Sequence, residues 1–233
     1  MDGTGTIDPT GFIKSRSLKF PKDGTYLTGK VRGLLRTGDY ERELVAAALK
    51  ATRADDVVLD LGCGLGFVAG MIAKRRNIKE IHGYDGNATL LTYAEAMLAT
   101  NGINNVTLTA GVLGKRKSSV PFYVRTPFAA SSLLPVEGEE AEEVKVDMHN
   151  VKTVLSAVKP TVIICDIEGG EAEMLDGIAL KDVRQVVVKL HPNHIGHDGV
   201  RAVFDAMSAA GLAYDPRLST GRVVGFVAQT DPA

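Results

Sequence analysis

Two groups of residues have the types and spacing to do chemistry. The first is Asp166, Glu168 and Glu171 within Cys165-Asp166-Ile167-Glu168-Gly169-Gly170-Glu171, with His191 further along the chain. Acids grouped in this way can bind a cation, act as a general base or favour a helix N-terminus, and Glu171 best suits the last of these. His191 suits a base or hydrogen-bond partner on the substrate side. His194 and His197 follow it at threes, but Pro192 argues against a regular helix there, so the spacing assembles no metal site and no metal is assigned. The second group is Asp60, Gly62, Cys63 and Gly64, then Asp85 and Gly86. Asp60 interrupts the apolar run Val57-Val58-Leu59-Asp60-Leu61 and points a carboxylate into the site.

The elements around these residues explain how they meet. Val57 to Leu61 reads as a buried parallel strand, followed by glycines at 62, 64 and 66 and a helix-compatible run from Phe67 to Lys74. A strand, a glycine loop and a helix form a nucleotide cradle with unpaired N–H groups and close backbone approach. A dinucleotide fingerprint needs a third glycine where Phe67 stands, and Asp60 would repel a pyrophosphate. S-adenosylmethionine fits better, having an ammonium, a sulfonium, a ribose and no phosphate. Asp85, ending the strand Glu80-Ile81-His82-Gly83-Tyr84, stands where a ribose-binding carboxylate is expected. The competing reading is a structural glycine turn with Asp85 as an ordinary helix cap.

The pattern predicts a helix over 39–52, capped by Asp39, with Tyr40 and Glu41 in reach of the cofactor. A helix over 88–100 ends at Asn101-Gly102, and the strand at 105–109 runs into Gly111 and Val112, where small residues leave room for an adenine. Residues 115–150 break the rhythm as an insertion. It contains edge-strand patterns at 120–124 and 143–147 and an acidic run at 137–143, and a helix near 152–158 follows it. The strand in the stretch from Pro160 runs straight into Asp166, with a helix over 171–180 behind it. The strand at 184–190 delivers His191, and a helix over 200–210 follows. The last two strands, around 212–214 and 222–228, are joined by a short turn and form an antiparallel edge. The fold expected is α/β: a Rossmann-like, mostly parallel sheet with an antiparallel C-terminal edge strand and helices on both faces.

Bulk properties narrow the function. The 233 residues are 45% hydrophobic and carry a net charge of −1, enough for one sizeable core and without a global pull toward nucleic acid or membrane. No apolar run is long enough to span a membrane, and Met1-Asp2-Gly3-Thr4 lacks a signal pattern. Cys63 and Cys165 suit reduced thiols, which points to the cytoplasm. Residues 1–38, with scattered lysines and arginines, read as an N-terminal arm or lid on a catalytic domain spanning 39–233.

These features together resemble class I S-adenosylmethionine-dependent methyltransferases, and within them the FkbM family. The resemblance rests on Gly38-Asp39-Tyr40-Glu41, Asp60-Leu61-Gly62, Tyr84-Asp85-Gly86-Asn87 and Cys165-Asp166-Ile167-Glu168-Gly169-Gly170-Glu171 with Leu175. It covers about 38–191. Departures are Cys63 and Gly64, where the family usually has alanine and asparagine, and Lys189, where it usually has an acid. The resemblance implies O-methylation of a hydroxyl on a natural product, sugar or glycolipid. It implies Asp60, Gly62, Gly64 and Asp85 on the cofactor and Asp166 near the methyl. The expected partner is a small molecule or glycoconjugate, with Asp166, Glu168 or His191 as base. An RNA or protein methyltransferase that docks through the basic arm, or a cofactor-binding module without turnover, are the rivals.

Overall fold

The computed structural model describes residues 8–126, 128, 131–135 and 140–229. Residues 1–7 of the expected arm and 137–139 of the acidic run lie outside them. A hairpin of β1 (Asp8–Ser15) and β2 (Leu18–Lys22) leads through α1 (Gly29–Thr37) and α2 (Arg42–Ala51) to β3 (Val57–Leu61). Then come α3 (Phe67–Arg75), β4 (Glu80–Asp85), α4 (Ala88–Thr100) and β5 (Val106–Ala110). The strands β6 (Val112–Gly114), β7 (Ser118–Val124) and β8 (Glu142–Asn150) precede α5 (Val151–Val158) and β9 (Val162–Cys165). The chain finishes with α6 (Glu171–Leu175), β10 (Gln185–Lys189), α7 (Pro192–Ala209), β11 (Leu212–Thr220) and β12 (Val223–Ala228).

The central sheet has seven strands in the order β11-β12-β10-β9-β3-β4-β5. Pairings from β10 to β5 are parallel, while β12 pairs antiparallel with both β10 and β11. This is the expected α/β sheet with its antiparallel C-terminal edge. Side-chain alternation sorts the strands between two cores. Val58, Val162, Ile164 and Val187 face α2, α3 and α4. Leu59, Leu61, Ile163, Cys165, Val186 and Val188 face α5, α6 and α7. Each such residue is buried, and a side chain removed from water in this way contributes about 1.5–3 kcal/mol. Asp60 shares the parity of Val58 and is the one charged member of β3.

Several local expectations are corrected. The arm is a β-hairpin and a helix built into the first core: Phe20 and Leu27 are fully buried, the Phe20 ring packs on Phe67, and Tyr93 Oη donates to Pro21 O at 2.9 Å. Asp39 does not cap α2. The chain passes through left-handed Gly38 and Glu41 first, so α2 begins at Arg42. In the insertion β8 is the middle strand, between β6 and β7, not an edge. Pro121 sits in β7, on the outer side where a missing N–H is tolerated. The helix after Glu171 spans only Glu171–Leu175. Pro192 opens α7 instead of excluding helix, because its absent N–H costs nothing in a first turn; the break comes at Gly196 (φ 63°). Among the described residues no helix is long and apolar enough to cross a membrane.

Candidate functional site

The carboxyl ends of β3, β4 and β9 open onto one cleft enclosing about 1090 Å³, mouth included. All ten residues assigned from sequence to the cofactor line it: Glu41, Asp60, Gly62, Cys63, Gly64, Asp85, Gly86, Gly111, Val112 and Asp166. The glycine loop is pinned by β4: Gly62 N–H donates to Tyr84 O at 2.8 Å, and Gly64 N–H to Asp85 Oδ2 at 2.9 Å. Gly62 has φ 77°, and a Cβ there would overlap the Asp166 carbonyl, so both conformation and space require glycine. A Cβ on Gly86 would press on the Phe122 ring, and one on Gly111 (φ 139°) on Asp147 O and the His149 ring. The Cys63 thiol packs against Gly83, so Cys63 serves the cleft with its backbone. Asp60 is 2% exposed and its Oδ2 has no hydrogen-bond partner. Burial, reinforced by Asp166 and Asp85, pushes its carboxyl from 3.8 up to about 7.

At the other end β9, the loop after it and the start of α7 assemble a charged cluster. His191 Nε2 lies 3.3 Å from Asp166 Oδ1 and 3.2 Å from Glu168 Oε1, and Nδ1 lies 3.2 Å from Glu171 Oε1. Glu171 is fully buried; it accepts the Gly169 N–H and the His191 N–H, each at 2.8 Å. Lys189 Nζ bridges Asp166 Oδ2 at 2.8 Å and Glu41 Oε2 at 3.0 Å. Burial opposes a charge on His191, but Asp166, Glu168 and Glu171 around it push its pKa up to about 11. Burial likewise works against an ionised Asp166, and His191 and Lys189 overcome it, holding the carboxyl below its usual range. Glu41 moves the other way, raised by burial and by Asp166 against the pull of Lys189.

Residues 37–125 match the family model of a methyltransferase small domain. The chain is 36% identical over 77 residues to the 23S rRNA (uracil(1939)-C(5))-methyltransferase of Xanthomonas euvesicatoria pv. vesicatoria, and equally to that of Xanthomonas axonopodis pv. citri. The match covers 33% of this chain and spans only 17% of each relative's length. Among solved structures, magnesium protoporphyrin IX methyltransferase from Synechocystis with bound S-adenosylmethionine aligns at TM-score 0.51 and 12% identity, over 87% of this chain and 85% of that one. A ribosomal protein L11 methylase from Lactobacillus delbrueckii subsp. bulgaricus aligns at TM-score 0.50 and 16% identity, over 81% and 77%. The fold is that of S-adenosylmethionine-dependent methyltransferases, and residues 37–125 are similar to the methyltransferase small domain.

The cleft has the groups that S-adenosylmethionine, bound in the Synechocystis structure, would call for. Asp60 Oδ2 is buried without a partner and could accept from an ammonium, and the N-terminus of α3 leaves its first N–H groups without a side-chain cap. Asp85 Oδ1 and Oδ2 each accept one backbone N–H, leaving lone pairs for ribose hydroxyls.

Sequence reasoning missed two parts of the site. Glu171 reads as a helix-start acid, yet it holds both the backbone and ring of His191. Lys189 reads only as a departure, yet it ties β10 to Asp166 and Glu41. The alternation of β10 gave the signal, since Lys189 is off-parity from buried Val186 and Val188 at a strand end facing acids. His194 stands 4.0 Å from Glu168 Oε2, and His197 has no place in the cluster.

Proposed function

We propose that the protein transfers the methyl group of S-adenosylmethionine to a hydroxyl oxygen of a small molecule, sugar or glycoconjugate. The carrying observation is that one cleft is lined both by the unpaired Asp60 carboxylate and by Asp166 and Glu168, which pack on buried His191. The sulfonium is already an activated leaving group, so the protein's main contribution is alignment of oxygen, methyl carbon and sulfur. As the acceptor oxygen forms its bond to the methyl carbon, the carbon–sulfur bond breaks and its electron pair returns to sulfur as a neutral thioether. The hydroxyl proton passes to Glu168, the most exposed member of the cluster, with 22% of its side chain in contact with solvent. His191, with Nε2 3.2 Å from Glu168 Oε1, serves to orient that carboxylate.

The rRNA relatives suggest a second acceptor class, a uracil carbon. That carbon is a weak nucleophile, and its methylation calls for a thiolate adduct on the ring. The chain's two cysteines, Cys63 and Cys165, are both buried, with thiol pKa values pushed well up by burial and neighbouring acids. Those surroundings favour the hydroxyl reading. Incubation with methyl-labelled S-adenosylmethionine and a cell extract, followed by fractionation, tests it. Label in small metabolites or glycoconjugates is expected; label released by nuclease or protease would favour a macromolecular acceptor.

A further inference from the structure

The cluster at the ends of β9 and β10 contains a geometry that proton transfer alone leaves unexplained. His191 is 2% exposed, and its Nε2, though 3.3 Å and 3.2 Å from two carboxylate oxygens, makes an aligned hydrogen bond to neither. Asp166 Oδ1 is equally buried and equally without a hydrogen-bond donor. One N–H points along one line and cannot serve two oxygens. A cation has no such axis, because lone pairs converge on a point. The atoms that Asp166, Glu168 and His191 offer all lie within 4.8 Å of one another.

The atoms behind them are arranged as outer-shell partners of a metal site are. Glu171 Oε1 sits against Nδ1, fixing the ring so that Nε2 points at the two carboxylates, and Lys189 occupies Asp166 Oδ2 so that Oδ1 faces inward. Glu168 reaches the point from a left-handed backbone (φ 46°), a conformation costly for a residue with a side chain. We propose that Asp166 Oδ1, Glu168 Oε1 and His191 Nε2 bind a divalent cation of the manganese or magnesium class, which takes the place of the proton on Nε2 and releases it to solvent. One imidazole and two carboxylates suit such an ion, and three protein ligands leave positions open to water or to an acceptor oxygen. In that role, which rests on the hydroxyl-transfer reading above, the ion polarises the acceptor hydroxyl while Glu168 Oε2 stays available for its proton.

Manganese titration of the chelator-treated full chain, followed by the electron paramagnetic resonance of free Mn2+, tests the site without any methyl transfer. One saturable site is expected. Glu168→Gln is expected to weaken it at least tenfold, and Glu171→Gln, which touches no ion, tenfold or more through the ring it holds. Circular dichroism melting and S-adenosylmethionine titration on the same samples report folding and the cofactor cleft separately. Absence of saturable binding up to about 1 mM Mn2+, the weak end of biological divalent sites, overturns the inference. So does unchanged binding in a folded Glu168→Gln variant. Normal S-adenosylmethionine binding alongside either result would leave the methyltransferase reading standing.

Discussion

Glu171 holds His191 twice, accepting its backbone N–H at 2.8 Å and facing its ring Nδ1 at 3.2 Å from the same Oε1. The other oxygen takes the Gly169 N–H, so a fully buried carboxylate ties the turn after β9 to the start of α7. Burial disfavours its charge, but His191 and the two N–H donors outweigh that and keep its pKa below the usual range. Replacement by glutamine puts an amide NH2 donor against one N–H. Glu171→Gln is expected to cost about 2–3 kcal/mol of stability, the worth of hydrogen bonds to a charged group, measured by urea denaturation.

Asp60 has the opposite effect on the cofactor-free chain. Its folded pKa, about 7, lies above the unfolded value near 3.8. The folded state therefore keeps a proton that the unfolded state releases, and stability falls as pH rises from about 4 through 7. The Asp60→Asn variant cannot ionise. Without cofactor it is expected to be more stable than the parent at pH 8 by a few kcal/mol, on the order of the shift itself, and equal to it near pH 4. Melting curves across that range check the sign.

Lys189 stands between two acids that would otherwise repel each other across the cleft floor. Lys189→Met leaves Glu41 uncompensated and Asp166 with His191 alone, and is expected to cost about 3 kcal/mol. Adding Glu41→Gln should restore part of that loss. A double-mutant cycle by denaturation is expected to give a coupling of about 1–3 kcal/mol.

Glu168 is assigned to the chemistry and not to cofactor retention. Glu168→Gln is expected to bind S-adenosylmethionine with an affinity within about twofold of the parent while kcat falls on the order of 100-fold, read by product formation with an identified acceptor.

Much of the fold was legible because its strands are apolar runs ended by acids or glycines. Val57-Val58-Leu59-Asp60-Leu61 and Val162-Ile163-Ile164-Cys165-Asp166 announce buried parallel strands and deliver their acids to one edge. The hairpin at the N-terminus was not legible, since Leu18-Lys19-Phe20-Pro21-Lys22 is short and carries a proline. It is held by distant partners, including the Asn101 side chain bonded to Lys19 N and O. The acids of the site were legible as types, whereas the work of Glu171 and Lys189 depends on pairing of β9 with β10, which local sequence does not contain. Pro192 misled because proline breaks a helix interior but begins a helix readily.

Asp60, buried with Oδ2 unpartnered, is the proposed anchor of the cofactor's ammonium. Calorimetric titration of S-adenosylmethionine into the parent and into Asp60→Asn at pH 8 tests it. A single site in the parent, weakened about 100-fold or more in the variant (roughly 3 kcal/mol), is the result predicted. Equal affinity in the two, with the variant folded, would contradict it.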